Sequence, residues 1–138
     1  MEVNFVAVLV ATVVMFIVGA IWYGLLFGKV WGHIHGFDKL TAAELKALRA
    51  KMGLPYLAQL LVTFVMIYVF AHFLEAKLNV TLYELVVWVW LGFIVPTHVS
   101  DVLFGGTPAR FIAKKLLILI FGSLASLFVG AWVLTLFA

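Results

Sequence analysis

Four long apolar runs, broken by short polar stretches, set the pattern of this chain. Taking His as neutral, no formal charge falls among the 26 positions between Glu2 and Lys29, or among the 23 between Lys51 and Glu75. Sixteen more lie between Glu84 and Asp101, where apolar character extends outward to Leu82 and Phe104, and a final 23 follow Lys115. A helix crosses a hydrocarbon core of roughly 30 Å with about 20 residues. Solid runs of this length lack the alternation of a small transmembrane barrel, and open strands are ruled out in lipid. The pattern therefore predicts an all-α integral membrane protein. Residues 1–138 form one domain with four transmembrane helices, over about 3–28, 54–74, 82–104 and 112–138.

The polar stretch after the first run carries a helix signal of its own. Thr41 and Glu44 stand three apart as a capping box, with Leu40 and Leu45 placed as a hydrophobic staple. Gly53 is a stop, and Pro55 suits the first turn of the second span. Leu45, Leu48 and Met52 share a face that Lys46 and Arg49 avoid. The expectation is a short amphipathic helix, about 42–52, in the cytoplasmic headgroup layer between the first and second spans.

The first run does not read as a signal peptide: Glu2 precedes it in place of a basic region, and it is too long. Cytoplasmic loops carry the excess of Lys and Arg. Loops one and three share a side and hold eight of these residues, against Lys77 alone in loop two. Both termini are therefore expected outside, across a plasma or inner membrane.

Composition sharpens the picture. Apolar residues make up 67% of the chain and charged ones 11%, against about 45–50% and 25% in soluble domains. That excludes a water-soluble enzyme and a disordered chain. With no Cys, disulfides, thiolate metal sites and cysteine nucleophiles are excluded as well. The net charge of +3 sits in loops, so the implied partner is the bilayer, including anionic headgroups on the cytoplasmic side, and not nucleic acid.

Ala20, Gly24 and Gly28 stand four apart on the first span, as do Gly122, Ser126 and Gly130 on the fourth. Such spacing lets helix backbones approach, within one chain or between copies of a homo-oligomer. Leu26-Phe27-Gly28 closes the first span and Leu103-Phe104-Gly105 the third, which hints at two related helical hairpins.

Candidate chemistry gathers in Pro96-Thr97-His98-Val99-Ser100-Asp101. Pro96 deprives the Gly92 carbonyl of its donor, which predicts a kink. Thr97 and His98 both fall within one turn of Asp101. A carboxylate beside His favours the imidazolium and poises a proton-handling pair; the plainer alternative is Asp101 paired with Arg110 or Lys114 among the headgroups. His33 and His35, with His98 and Asp101, are weak candidates for a metal. Trp22 and Trp90 lie deep enough to line an internal cavity. No nucleotide loop, catalytic triad order or zinc-protease motif occurs, so an enzyme is disfavoured, and whether a cofactor is bound stays open.

Gly19-Ala20-Ile21-Trp22-Tyr23-Gly24, followed by Leu26-Phe27-Gly28-Lys29 and Trp31, resembles the first signature of the family called domain of unknown function 1761. Pro96 through Phe104 resembles its second, and the similarity spans nearly the whole chain, with Leu25 standing where relatives carry Pro. The resemblance implies a small polytopic membrane protein and marks Trp22, Tyr23, His98, Ser100 and Asp101 without assigning roles. Three functions stay open on the sequence. The first is permeation or transport of an ion or small solute, with Thr97, His98, Ser100 and Asp101 as the polar site. The others are an accessory or scaffold subunit of a larger membrane complex, and a metal- or cofactor-binding membrane protein.

Overall fold

The computed structural model describes residues 2–138, and all regular structure in it is helical. Four helices are long and apolar enough to cross a membrane: α1 (Phe5–Leu26), α4 (Gly53–Glu75), α5 (Leu82–Phe104) and α6 (Ala109–Thr135). The chain is a small multi-pass membrane protein. Between α1 and α4 lie two shorter helices, α2 (Gly28–Ile34) and α3 (Ala42–Ala50).

Helix starts follow local chemistry. The Asn4 side-chain oxygen accepts the backbone N–H groups of Val6 and Ala7, at 3.1 and 3.2 Å. Thr41 and Glu44 make both halves of their capping box ahead of α3. The same spacing recurs at Thr81 and Glu84 ahead of α5, and both bonds form there too. Gly36, at φ 75°, turns the chain between α2 and the Phe37–Lys39 turn, a conformation that suits glycine.

The hub is α6: α1 packs along it most extensively and α5 and α4 also lie against it, while α4 covers another side of α1. The larger core lies in the half of the bundle that holds both chain ends. Val8, Ala11 and Met15 of α1 meet Ile67 and Phe70 of α4, Val86 of α5, and Leu127 and Ala131 of α6. Gly130 is what lets α1 approach, since a Cβ there would run into the Met15 sulfur and lie 3.2 Å from Ile67. One turn earlier, the Ser126 hydroxyl donates to the Met15 carbonyl at 3.4 Å. At the opposite end a smaller cluster of Ile34, Phe111 and Ile118 is ringed by Trp22, Tyr23, Phe27 and Trp31.

Candidate functional site

Two of the four spans widen into a π-turn, each at a tryptophan. In α1 the turn Ile21–Leu26 is a π-helix, closed by the Phe27 N–H donating to the Trp22 carbonyl at 2.9 Å. In α5 the turn Trp90–Ile94 is a π-helix, closed by the Val95 N–H donating to the Trp90 carbonyl. Both bonds span five residues, and such turns interrupt helices most often where function or docking demands it.

The side chains of these tryptophans complete the parallel. The Trp22 indole N–H donates to the Ile118 carbonyl at 2.9 Å, and the Trp90 N–H to the Ile120 carbonyl at 2.9 Å. The Trp90 N–H also reaches the Ser123 hydroxyl at 3.2 Å. Carbonyls two residues apart on α6 thus hold α1 from one side and α5 from the other. Gly122 makes room for the first contact, because a Cβ there would lie 2.6 Å from the Trp22 nitrogen. The sequence carries a signal for this that the motif reading passed over: Trp-x-Gly occurs at both Trp22–Gly24 and Trp90–Gly92. By contrast, Leu-Phe-Gly begins four residues after Trp22 and thirteen after Trp90, so the tripeptides do not share this register.

The polar cluster of α5 sits beyond its π-turn. The proline is accommodated by widening the preceding turn. The Thr97 hydroxyl turns back to the Phe93 carbonyl at 2.7 Å and does not bond Asp101. Among the described residues the ion pair found is His33–Asp38, so neither His98 nor a basic side chain lies within ion-pairing distance of Asp101. His98 is half-buried, whereas Thr97, Ser100 and Asp101 face outward. Ser100 and Asp101, with Phe104 and Gly105, line an open pocket of about 330 Å³.

The other sequence candidates are scattered. His33 Nδ1 lies 2.7 Å from Asp38, and this hydrogen bond holds the Asp38 carboxyl below the usual carboxylate range. His35 Nδ1 meets the Trp31 carbonyl at 2.9 Å. His33, His35, His98 and Asp101 are not brought together, and no cluster of three or more His, Asp or Glu suited to a metal forms among the described residues. His72 packs edge-on against Tyr68, with no ion pair to Glu75. Tyr23 stacks edge-on with Trp31. Gly122, Ser126 and Gly130 all face α1, while Ala20 and Gly24 are exposed and Gly28 approaches the Tyr23 carbonyl.

Residues 6–121, most of the chain, match the family described as Protein of unknown function (DUF1761). No curated protein and no solved structure matches the chain.

Proposed function

We propose for this chain, which belongs to the DUF1761 family, that copies of it assemble in the membrane and pass an ion or small solute along the polar face of α5. The observation that carries this reading is the outward exposure of Thr97, Ser100 and Asp101 near one end of a transmembrane helix. Hydrocarbon solvates such groups poorly, and a water-filled path or another chain along this face would satisfy them. The open pocket beside Ser100 and Asp101, and a π-turn and proline just before them, support the same face. His98, half-buried beside them, is the group able to respond to protons. The test is proton and cation flux into sealed liposomes. Loss of flux in His98→Ala and Asp101→Asn, with helix content kept, is the expected result. Wild-type flux in both removes these residues from any path.

A second reading is supported by the exposed face of α1, where Ala20 and Gly24 are exposed and a Cβ at Gly24 has no neighbour within 4 Å. This face suits close packing with another helix, either of a second copy or of a larger membrane complex. Reproducible copurification of one partner in mild detergent, together with absent flux, favours the accessory role.

In both readings the termini lie outside and the basic loops face the cytoplasm of a plasma or inner membrane, following the eight-to-one bias in Lys and Arg. The helix α3 then rests in the anionic headgroup layer, with Leu45 and Leu48 half-buried and Lys46 and Arg49 exposed. The chain contains no Cys, so single cysteines at Ala43 and Asn79 report sidedness directly. Labelling of Asn79→Cys, and not Ala43→Cys, by an impermeant reagent in intact cells is expected; the reverse inverts the topology.

A further inference from the structure

Between the end of α1 and the first half of α6 lies a cleft of about 310 Å³, lined by Trp22, Phe27, Leu117, Ile118 and Phe121. That is the lower edge of the range for small-ligand pockets, about 300–1,000 Å³. No polar group serves its interior, because the Trp22 N–H is already bonded to the Ile118 carbonyl. The cleft opens on the flank of the bundle, where Leu117 is 57% and Phe121 50% exposed. An occupant of this interior is hydrocarbon.

The chemistry changes at one end. Lys114, Leu117 and Phe121 follow one face of α6, so Lys114 stands one turn before the cleft wall. Side chains on a helix lean toward its N-terminus, which carries this ammonium outward toward the membrane surface. Lys29 follows Phe27 by two residues and is exposed as well. The neighbouring cations are differently engaged: Arg110 lies over the Phe111 ring at 4.6 Å, and Lys115 is 5.9 Å from the Trp31 ring. Among the described residues no carboxylate pairs with any of the four. An apolar slot whose two walls are flanked in sequence by unpaired, exposed lysines, Lys29 and Lys114, matches an acyl chain below a phosphate.

We infer that this cleft is a binding site for an anionic phospholipid, one acyl chain lying between Trp22 and Phe121 and the phosphate meeting Lys114 and Lys29. A symmetric contact with a second copy fits less well, because it would set the same basic cluster against itself. Basic pockets at the ends of transmembrane helices hold such headgroups. The site stands apart from the polar face of α5, so it survives if no flux is found.

Bromine on an acyl chain quenches an indole that it touches. The protein, with its five Trp, is placed in phosphatidylcholine vesicles containing a minor fraction of acyl-brominated lipid. Brominated phosphatidylglycerol should quench at roughly tenfold lower fraction than brominated phosphatidylcholine, as expected for one or two ammonium groups meeting a phosphate. Lys29→Gln/Lys114→Gln should abolish this preference. Trp22→Phe should remove the excess quenching, and Trp90→Phe should leave it. Equal quenching by the two lipids, or a preference that persists without both lysines, overturns the proposal. If Trp22→Phe loses helicity, the lysine variant decides alone.

Discussion

The last turn and a half of α1 and the middle of α5 reach the same local geometry from different sequences. Each widens into a π-turn closed on a tryptophan carbonyl, and each sends that tryptophan's indole to a carbonyl of α6. In α5 a proline two residues beyond the turn removes a backbone donor. In α1 no proline is near, and the chain after the turn leaves the span through Phe27 and Gly28. The shared element is the docked indole. The proline is therefore not required for the widened turn; what α1 and α5 have in common is a large side chain that must reach a fixed acceptor on a neighbouring helix. The two docking sites also differ in tolerance: Trp22 lies against a glycine, while Trp90 has a serine hydroxyl as a second acceptor.

That difference gives the largest expected effect. Gly122→Ala places a methyl group where the Trp22 indole now lies, so the α1 anchor should be displaced at a cost of about 1–3 kcal/mol, the usual range for overpacking. The unfolding midpoint in detergent, followed by far-UV circular dichroism, should fall, and emission from Trp22 should shift while that from Trp90 holds. An unchanged midpoint would mean that the indole contact is dispensable.

The two Leu-Phe-Gly ends separate next. A Cβ on Gly105 would collide with the Asp101 carbonyl, whereas one on Gly28 would lie 3.4 Å from the Tyr23 carbonyl. Gly105→Ala should therefore cost about 1–2 kcal/mol, and Gly28→Ala less than about 0.5 kcal/mol, within the spread for tolerated surface changes. Equal costs in the same unfolding assay would show that the resemblance between these ends is structural after all.

Pro96→Ala asks what holds each π-turn open. It restores a donor for the Gly92 carbonyl, so α5 can relax toward regular helix with a gain of up to about 1 kcal/mol. That is short of the roughly 3 kcal/mol that proline costs in a regular helix interior, because the wide turn already accommodates the ring. Emission from Trp90 should change and that from Trp22 should not. If Trp90 is unaffected, its hydrogen bonds to α6 hold the turn and the proline follows.

The smallest effect lies outside the spans, where His33 holds Asp38. A carboxyl held below its usual range contributes stability that is present above about pH 3.9 and is lost as pH falls through its lowered value in the folded chain. An NMR titration of Asp38 should therefore have its midpoint below that of a free carboxylate, and His33→Gln should return it upward. A midpoint that ignores His33 would show the pair to be absent in solution. Being exposed, it should leave the unfolding midpoint nearly unmoved.

Much of this architecture is readable from local chemistry. Apolar runs near 20 residues announce spans because lipid leaves the backbone no partners but its own. Thr41 with Glu44, and Thr81 with Glu84, announce helix starts because both bonds are made within four residues. The candidate site was less accessible. Thr97, His98 and Asp101 share a face by helical spacing, yet the Thr97 hydroxyl is taken by the Phe93 carbonyl and no ion pair forms with Asp101. Spacing brings side chains within reach; it does not say which acceptor is nearer. Pro96 marks where α5 must deviate, but a kink and a π-turn answer the same missing donor equally well.

Length and polarity of the runs were enough to specify a multi-pass helical membrane protein, and cap residues were enough to start its helices, since both effects act within one segment. The pairing of Trp22 with Ile118, of Trp90 with Ile120, and of Gly130 with Met15 arose only when α6 came to lie between its neighbours. Those contacts join residues up to 115 positions apart, Met15 and Gly130; the small-residue spacing on α6 announces a close approach, but which helix, side chain and carbonyl meet there is decided only by the packing.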